Sequence, residues 1–196
     1  HRDLHSCPTR RSSDLEETID TLRLGLDAKD EHIRAQCLLA LGQIGGERGI
    51  RYLSECLTDV SPYIRLHAVK GLALELERNR KPVIEALAHL VGNEDNSEVL
   101  LATIEVVGEV KGRINGIDIL NILLRDERWE IHKAAYQALE KLGTNKSLEL
   151  VRLFRGLRTK KTSRWIATTQ QIYKEFGAIG FIHALKHRYK DPQTYW

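Results

Sequence analysis

The chain has 196 residues, 42% of them hydrophobic and 29% charged, and no apolar run approaches a bilayer span, so the composition is that of a water-soluble protein and not of a helical membrane protein. Its net charge of +3 is unevenly spread: residues 1–15 carry +1, residues 16–150 carry −6 and residues 151–196 carry +8. Positive charge is therefore concentrated at the C-terminal end.

The first fifteen residues, HRDLHSCPTRRSSDL, stand outside any pattern in the rest of the chain and resemble the translation of a sequencing adapter. The chain does not begin with Met and contains none. Residues 1–15 are accordingly expected to be a non-native tail on an open-ended piece of a longer protein.

From Glu16 onward a unit recurs. With Ile33 as column zero, the same column holds Ile64, Val99, Ile131 and Trp165, at steps of 31, 35, 32 and 34 residues. Four residues later it reads Cys37, Ala68, Thr103, Ala135 and Thr169, and eight later Leu41, Leu72, Val107, Leu139 and Tyr173. Columns zero, four, eight and eleven share one helical face, so each copy predicts an amphipathic inner helix with a buried stripe. An outer helix precedes each one. A period of this size carrying helices is the mark of an all-α solenoid.

Taken in order, Glu16–Leu26 predicts the first outer helix and Glu31–Ile44 the first inner one, closed by Gly45 and Gly46 in left-handed geometry. The second pair is Ile50–Leu57 and a helix opening at Pro62, for which the Ser61 hydroxyl is the expected cap. Pro82–Val91 with Ser97–Val110, and Ile117–Leu124 with Trp129–Leu142, form the third and fourth pairs. Ser147–Leu157 opens a fifth, whose turn, Arg158 to Ser163, is long and basic before a helix Arg164–Phe176. A last outer helix, Ala178–Tyr189, leads to Asp191-Pro192. The repeats are placed at about 16–46, 47–78, 79–112, 113–144 and 145–177, with a half repeat at 178–190 and a truncated end at 191–196.

Aspartate in the turn, Ile/Val-Arg, a small residue and Ala-Leu-Gly-x-Ile-Gly, as in Asp30, Ile33-Arg34 and Ala40 to Gly45, or Asp59, Ile64-Arg65 and Gly71-Leu72, resemble HEAT repeats, notably the short bacterial kind shared with bilin lyases. Leu100 and His132 depart from the pattern where Arg is expected. The resemblance implies a right-handed superhelical array of about five helix pairs. It also implies that Arg34 and Arg65 are scaffold, each tied to a turn aspartate among Asp27, Asp30 and Asp59.

Chemistry is harder to find. Cys7, Cys37 and Cys56 have no paired spacing, and the latter two fall in amphipathic segments, so they read as core thiols of a reducing compartment such as the cytoplasm. No phosphate loop, His-Glu-x-x-His or Cys-x-x-Cys is present. His183 and His187, with Asp191, make a weak metal pattern better read as surface histidines. Glu105 and Glu109 are spaced as an acid–base pair but lie off the buried stripe, where a solvated face is the simpler reading. No catalytic residue, cofactor or metal site is assigned.

Columns three, six and ten remain for the outward face of each inner helix, which lines the concave side of such an array. They hold Gln36 and Gln43, His67 and Lys70, Glu105 and Glu109, Gln137 and Lys141, then Gln171 with Glu175. A mixed polar groove suits a protein partner recognised through many modest contacts. The basic end offers Arg158, Lys160, Lys161 and Arg164 among eight of the twelve aromatics, although Trp165, Tyr173 and Phe176 belong to the buried stripe. The leading expectation is a non-enzymatic protein-binding scaffold. Nucleic-acid binding through the basic repeat is the alternative, and a bilin-lyase-like accessory activity, carried by resemblance alone, is the third.

Overall fold

The computed structural model describes residues 9–109, 115–156 and 173–174. Among them are nine α-helices and no strand: α1 Thr9–Gly25, α2 Glu31–Ile44, α3 Gly46–Cys56, α4 Pro62–Glu75, α5 Arg80–Val91, α6 Ser97–Gly108, α7 Asn115–Leu123, α8 Trp129–Leu142 and α9 Asn145–Gly156. The all-α repeat fold expected from the period is the fold observed. The inner helices α2 and α8 have the bounds their patterns predict, and α4 opens at Pro62 as expected. Outer helices begin earlier than periodicity suggests: α1 reaches back to Thr9, and α3 starts directly at Gly46. Residues 110–114, the inner helix of the fifth repeat apart from Tyr173 and Lys174, and the half repeat beyond it lie outside the described residues.

The chain divides into two compact units, His1–Val106 and Val107–Trp196, the division falling inside α6. In the first, α2 packs on α1, α3 and α4, and α3 also meets α5. The closest approach is between inner helices. A Cβ on Gly42 would run into the backbone of Gly71, and one on Gly71 would lie 2.8 Å from the Leu38 carbonyl oxygen. Glycine in those two positions lets the axes come together, and Leu38, Leu41, Leu53, Ile64 and Leu72 fill the space around them without solvent contact. In the second unit α8 packs on α7 and α9, burying Ile119, Leu120, Leu124, Ile131 and Leu139.

Columns zero, four and eight are buried as expected in α4 (Ile64, Ala68, Leu72), α6 (Val99, Thr103, Val107) and α8 (Ile131, Ala135, Leu139). In α2 only column eight, Leu41, is buried: Ile33 is 51% exposed against 1% for Ile64, Cys37 is half-buried, and the buried set shifts round the helix to Ala35, Leu38, Leu41 and Gly42. The reason is positional. Among the described residues no inner helix precedes α2, so Ile33 lacks the neighbour that α4 has in α2. Tyr173, also expected on the buried stripe, is 58% exposed, residues 157–172 and 175–196 lying outside the described residues.

Two turn expectations are corrected. Gly45 does take a positive φ, 80°, but with ψ −166°, which is not the left-handed cap expected of it; Gly143, closing α8, has that geometry (φ 61°, ψ 12°). The Ser61 hydroxyl makes no cap to α4. Instead the Asp59 carboxylate accepts the Ser61 backbone N–H at 2.8 Å, and the same two-residue step recurs from Glu94 to Asn96 (2.7 Å) and from Asp126 to Arg128 (2.9 Å). A short acidic side chain closes the turn by mimicking a backbone acceptor. The inner helix then starts on the next polar group, as where Asp30 accepts His32 N–H at 2.8 Å and Asn96 accepts Glu98 N–H at 2.9 Å.

Candidate binding surface

Whatever the inner helices offer a partner depends on how firmly they are held. In the first unit two buried carboxylates do the holding. Glu94, whose side chain has no solvent exposure, takes two hydrogen bonds from Arg65, Nε at 2.7 Å and Nη2 at 2.8 Å, a fork-to-fork pair reaching from α4 to the next turn. Burial alone would push the Glu94 carboxyl up, but Arg65 and the backbone N–H groups of Asn96 and Asp95 hold it below its ordinary value. Arg65 is therefore scaffold, as expected. Its carboxylate partner, however, is Glu94; Asp59 supplies only its backbone carbonyl, to Arg65 Nη1 at 2.8 Å. Arg34 departs further, meeting Glu31 at 3.4 Å while its buried Nε has no hydrogen-bond partner. Asp30 and Asp27 are used elsewhere, on the α2 cap and on Arg23 at 2.8 Å.

Glu75 is the second carboxylate. Fully buried at the end of α4, it accepts from Asn79 Nδ2 at 2.7 Å, Gly46 N–H at 3.3 Å and Arg78 Nη1 at 3.3 Å. A side chain on Gly45 would collide with it. Nothing in the sequence analysis singles out Glu75, yet it stands in column eleven beside Ile44 and Leu142. A carboxylate in an apolar column was the available signal.

Against that frame the outward columns are laid open. Gln36 and Gln43 on α2, Lys70 on α4, Glu105 on α6, the adjoining Glu109 and, in the second unit, Gln137 and Lys141 on α8 are all exposed, and His67 is half-buried. Lys141 and Glu109 stand 3.8 Å apart in water, an ion pair of little weight. Gln171, Glu175 and the basic group Arg158, Lys160, Lys161 and Arg164 lie outside the described residues, as do His183, His187 and Asp191.

The column reading overlooked one position on this face. Column minus one is a helical turn before column three, so His32 and Tyr63 share the surface with Gln36 and His67. The His32 and Tyr63 rings meet edge-on with centroids 5.4 Å apart, and Tyr63 and His67 lie 4.3 Å apart. Their polar atoms join as well: His32 Nδ1 is 3.0 Å from the Tyr63 hydroxyl, and His67 Nδ1 is 2.8 Å from the Tyr63 carbonyl oxygen.

No group of three or more metal-ligating side chains occurs among the described residues. Cys37 and Cys56 are both half-buried rather than fully so, and burial, with Asp59 and Glu55 adding to it, pushes the Cys56 thiol up to about 11. Such a thiol is a poor nucleophile. Among the described residues no helix is long and apolar enough to cross a membrane.

Residues 8–73, about a third of the chain, match the family model described as HEAT repeats, a stretch that takes in α1, α2, α3 and most of α4. No curated protein matches the chain. Among solved structures it is similar to an engineered protein at 15% identity, with 88% of this chain and 94% of that one covered and a TM-score of 0.49. It is also similar to computationally designed armadillo repeat proteins for modular peptide recognition, at 16% identity, 89% and 85% coverage and a TM-score of 0.45.

Proposed function

We propose that this chain is a non-enzymatic scaffold that binds a protein partner along the outward face of its inner helices. One observation carries the reading: column ten is exposed at each of the four inner helices (Gln43, Leu74, Glu109 and Lys141) and column six at three of them (Lys70, Glu105 and Gln137), in both units, while column eight is buried in all four. Side chains on such columns sit on rigid elements at a repeating spacing. That arrangement favours recognition over an extended surface, with affinity spread across several contacts. The HEAT repeats match supports it, since stacked helix pairs present a continuous surface of this kind.

The test is binding of the full chain to a displayed peptide library, followed by charge reversal. Lys70→Glu and Lys141→Glu are expected to abolish capture of selected peptides, whereas Arg158→Ala with Lys160→Ala leaves it intact. The opposite pattern would move the site to the basic end. A second reading rests on the charge of +8 in residues 151–196. Were that end to bind nucleic acid, affinity would fall steeply with salt, and replacing Lys160, Lys161 and Arg164 would flatten the slope.

A further inference from the structure

We infer that Tyr63, His67 and Lys70 form the anchor of this surface, and that its partner is an acidic peptide segment bearing an apolar side chain; the inference rests on the scaffold reading above. Exposed side chains ordinarily lose rotamer freedom on binding, a cost of about 0.5–1.5 kcal/mol each. Here that cost has been met in advance. The Tyr63 ring is held between His32, at 5.4 Å, and His67, at 4.3 Å, and a hydrogen bond between each imidazole and Tyr63 fixes the group. An ordered tyrosine on an otherwise polar face is the kind of residue on which binding energy concentrates.

The hydrogen bonds also say what the group can recognise. A carbonyl oxygen only accepts, so His67 Nδ1 carries the proton given to Tyr63 O, and Nε2 is the polar atom of the ring left to a partner. Lys70 follows three residues later, one turn along the same face, with its three N–H donors exposed. An imidazole nitrogen and a cationic donor side by side match a polar peptide backbone and a carboxylate. Leu74, 48% exposed a further turn on, extends the apolar strip.

Charge selects the class of partner. Residues 16–150 are net −6, yet the outward columns of α2 and α4 hold His32, Gln36, Leu39, Gln43, Tyr63, His67, Lys70 and Leu74, without one carboxylate. A basic segment would meet Lys70 and be repelled. A nucleic acid would find one lysine where its backbone calls for several.

The experiment is fluorescence anisotropy of the full chain with labelled ten-residue peptides of equal apolar content, one set rich in Asp and Glu, one neutral and one rich in Lys and Arg. The acidic set should bind. Lys70→Glu and Tyr63→Ala should each weaken it about tenfold or more, Tyr63→Phe, which keeps the ring but loses the hydroxyl bonded to His32, should fall between them and the wild type, and Lys146→Ala on α9 should leave it within about twofold. Circular dichroism melts of each variant separate lost binding from lost fold. Basic peptides bound in preference, and released by Glu105→Lys, would overturn the anchor while leaving the scaffold reading standing. No binding by any set at millimolar peptide would sink both.

Discussion

Among the described residues, the first unit ties its repeats together with buried charge, while the contacts seen in the second are exposed or local. Arg65 reaches 29 residues ahead to a fully buried Glu94, and Glu75 reaches 29 back to Gly46. In the second unit His132 occupies the arginine column and bonds the Leu124 carbonyl at 3.0 Å, Arg128 pairs with Asp126 two residues away at 2.7 Å, and the longer link, Lys146 to Asp118 at 3.0 Å, lies in water. A buried link is costly to break because the group left behind stays desolvated, whereas an exposed one leaves water to take its place. Repeats of one class thus share a backbone plan and differ in how strongly each depends on the next.

That contrast is sharpest at Glu94. Glu94→Ala should destabilise the first unit by about 3–5 kcal/mol, as should Arg65→Ala, and a paired replacement of both by leucine should recover much of the loss. The sign with pH follows from Glu94 being held below its ordinary carboxylate value. The latch contributes fully above the unfolded value of about 4.3, and the contribution is lost as pH falls through the lower folded value. Thermal melts taken between neutral and acidic pH should show the wild type falling more steeply than Glu94→Ala. Parallel slopes would mean the pair is not linked to folding.

Next in size comes a comparison of one column in two repeats. Ile64→Ala should cost about 2–5 kcal/mol and Ile33→Ala under about 0.5, because only the first leaves a cavity. Equal losses in urea titration would mean that something in solution covers Ile33. Gly71→Ala should cost about 1–3 kcal/mol by forcing α2 and α4 apart. Smallest is Lys146→Ala, expected to move the second unit's stability by less than about 0.5 kcal/mol; a larger shift in its denaturation midpoint would erase the distinction between the units.

Much of this frame was legible in the sequence because helical period and repeat period are both local to a column. Ile64, Val99 and Ile131 fall where the stripe puts them, and α2 and α8 start and stop on their expected residues. Ile33 escaped because its burial depends on a neighbouring helix and not on its own sequence. Arg65 was read correctly as scaffold but given the wrong acid, since a partner 29 residues away is fixed only once two helix pairs are stacked. The outward columns were found, but His32 and Tyr63 were not. Aromatic residues at the first turn read as core until the next helix shows which way they face.

Glu75 carries a consequence for how the chain is made. The Gly46 N–H, at the start of α3, has its acceptor in a side chain that leaves the ribosome 29 residues later, followed by Asn79, which grips the same carboxylate. Until then α3 begins with an open amide and α2 lacks the helix that closes over Gly42. A nascent chain stalled before position 75 should thus be open to proteases around Gly45 and Gly46, and the first cooperative unit to emerge is two helix pairs long, not one.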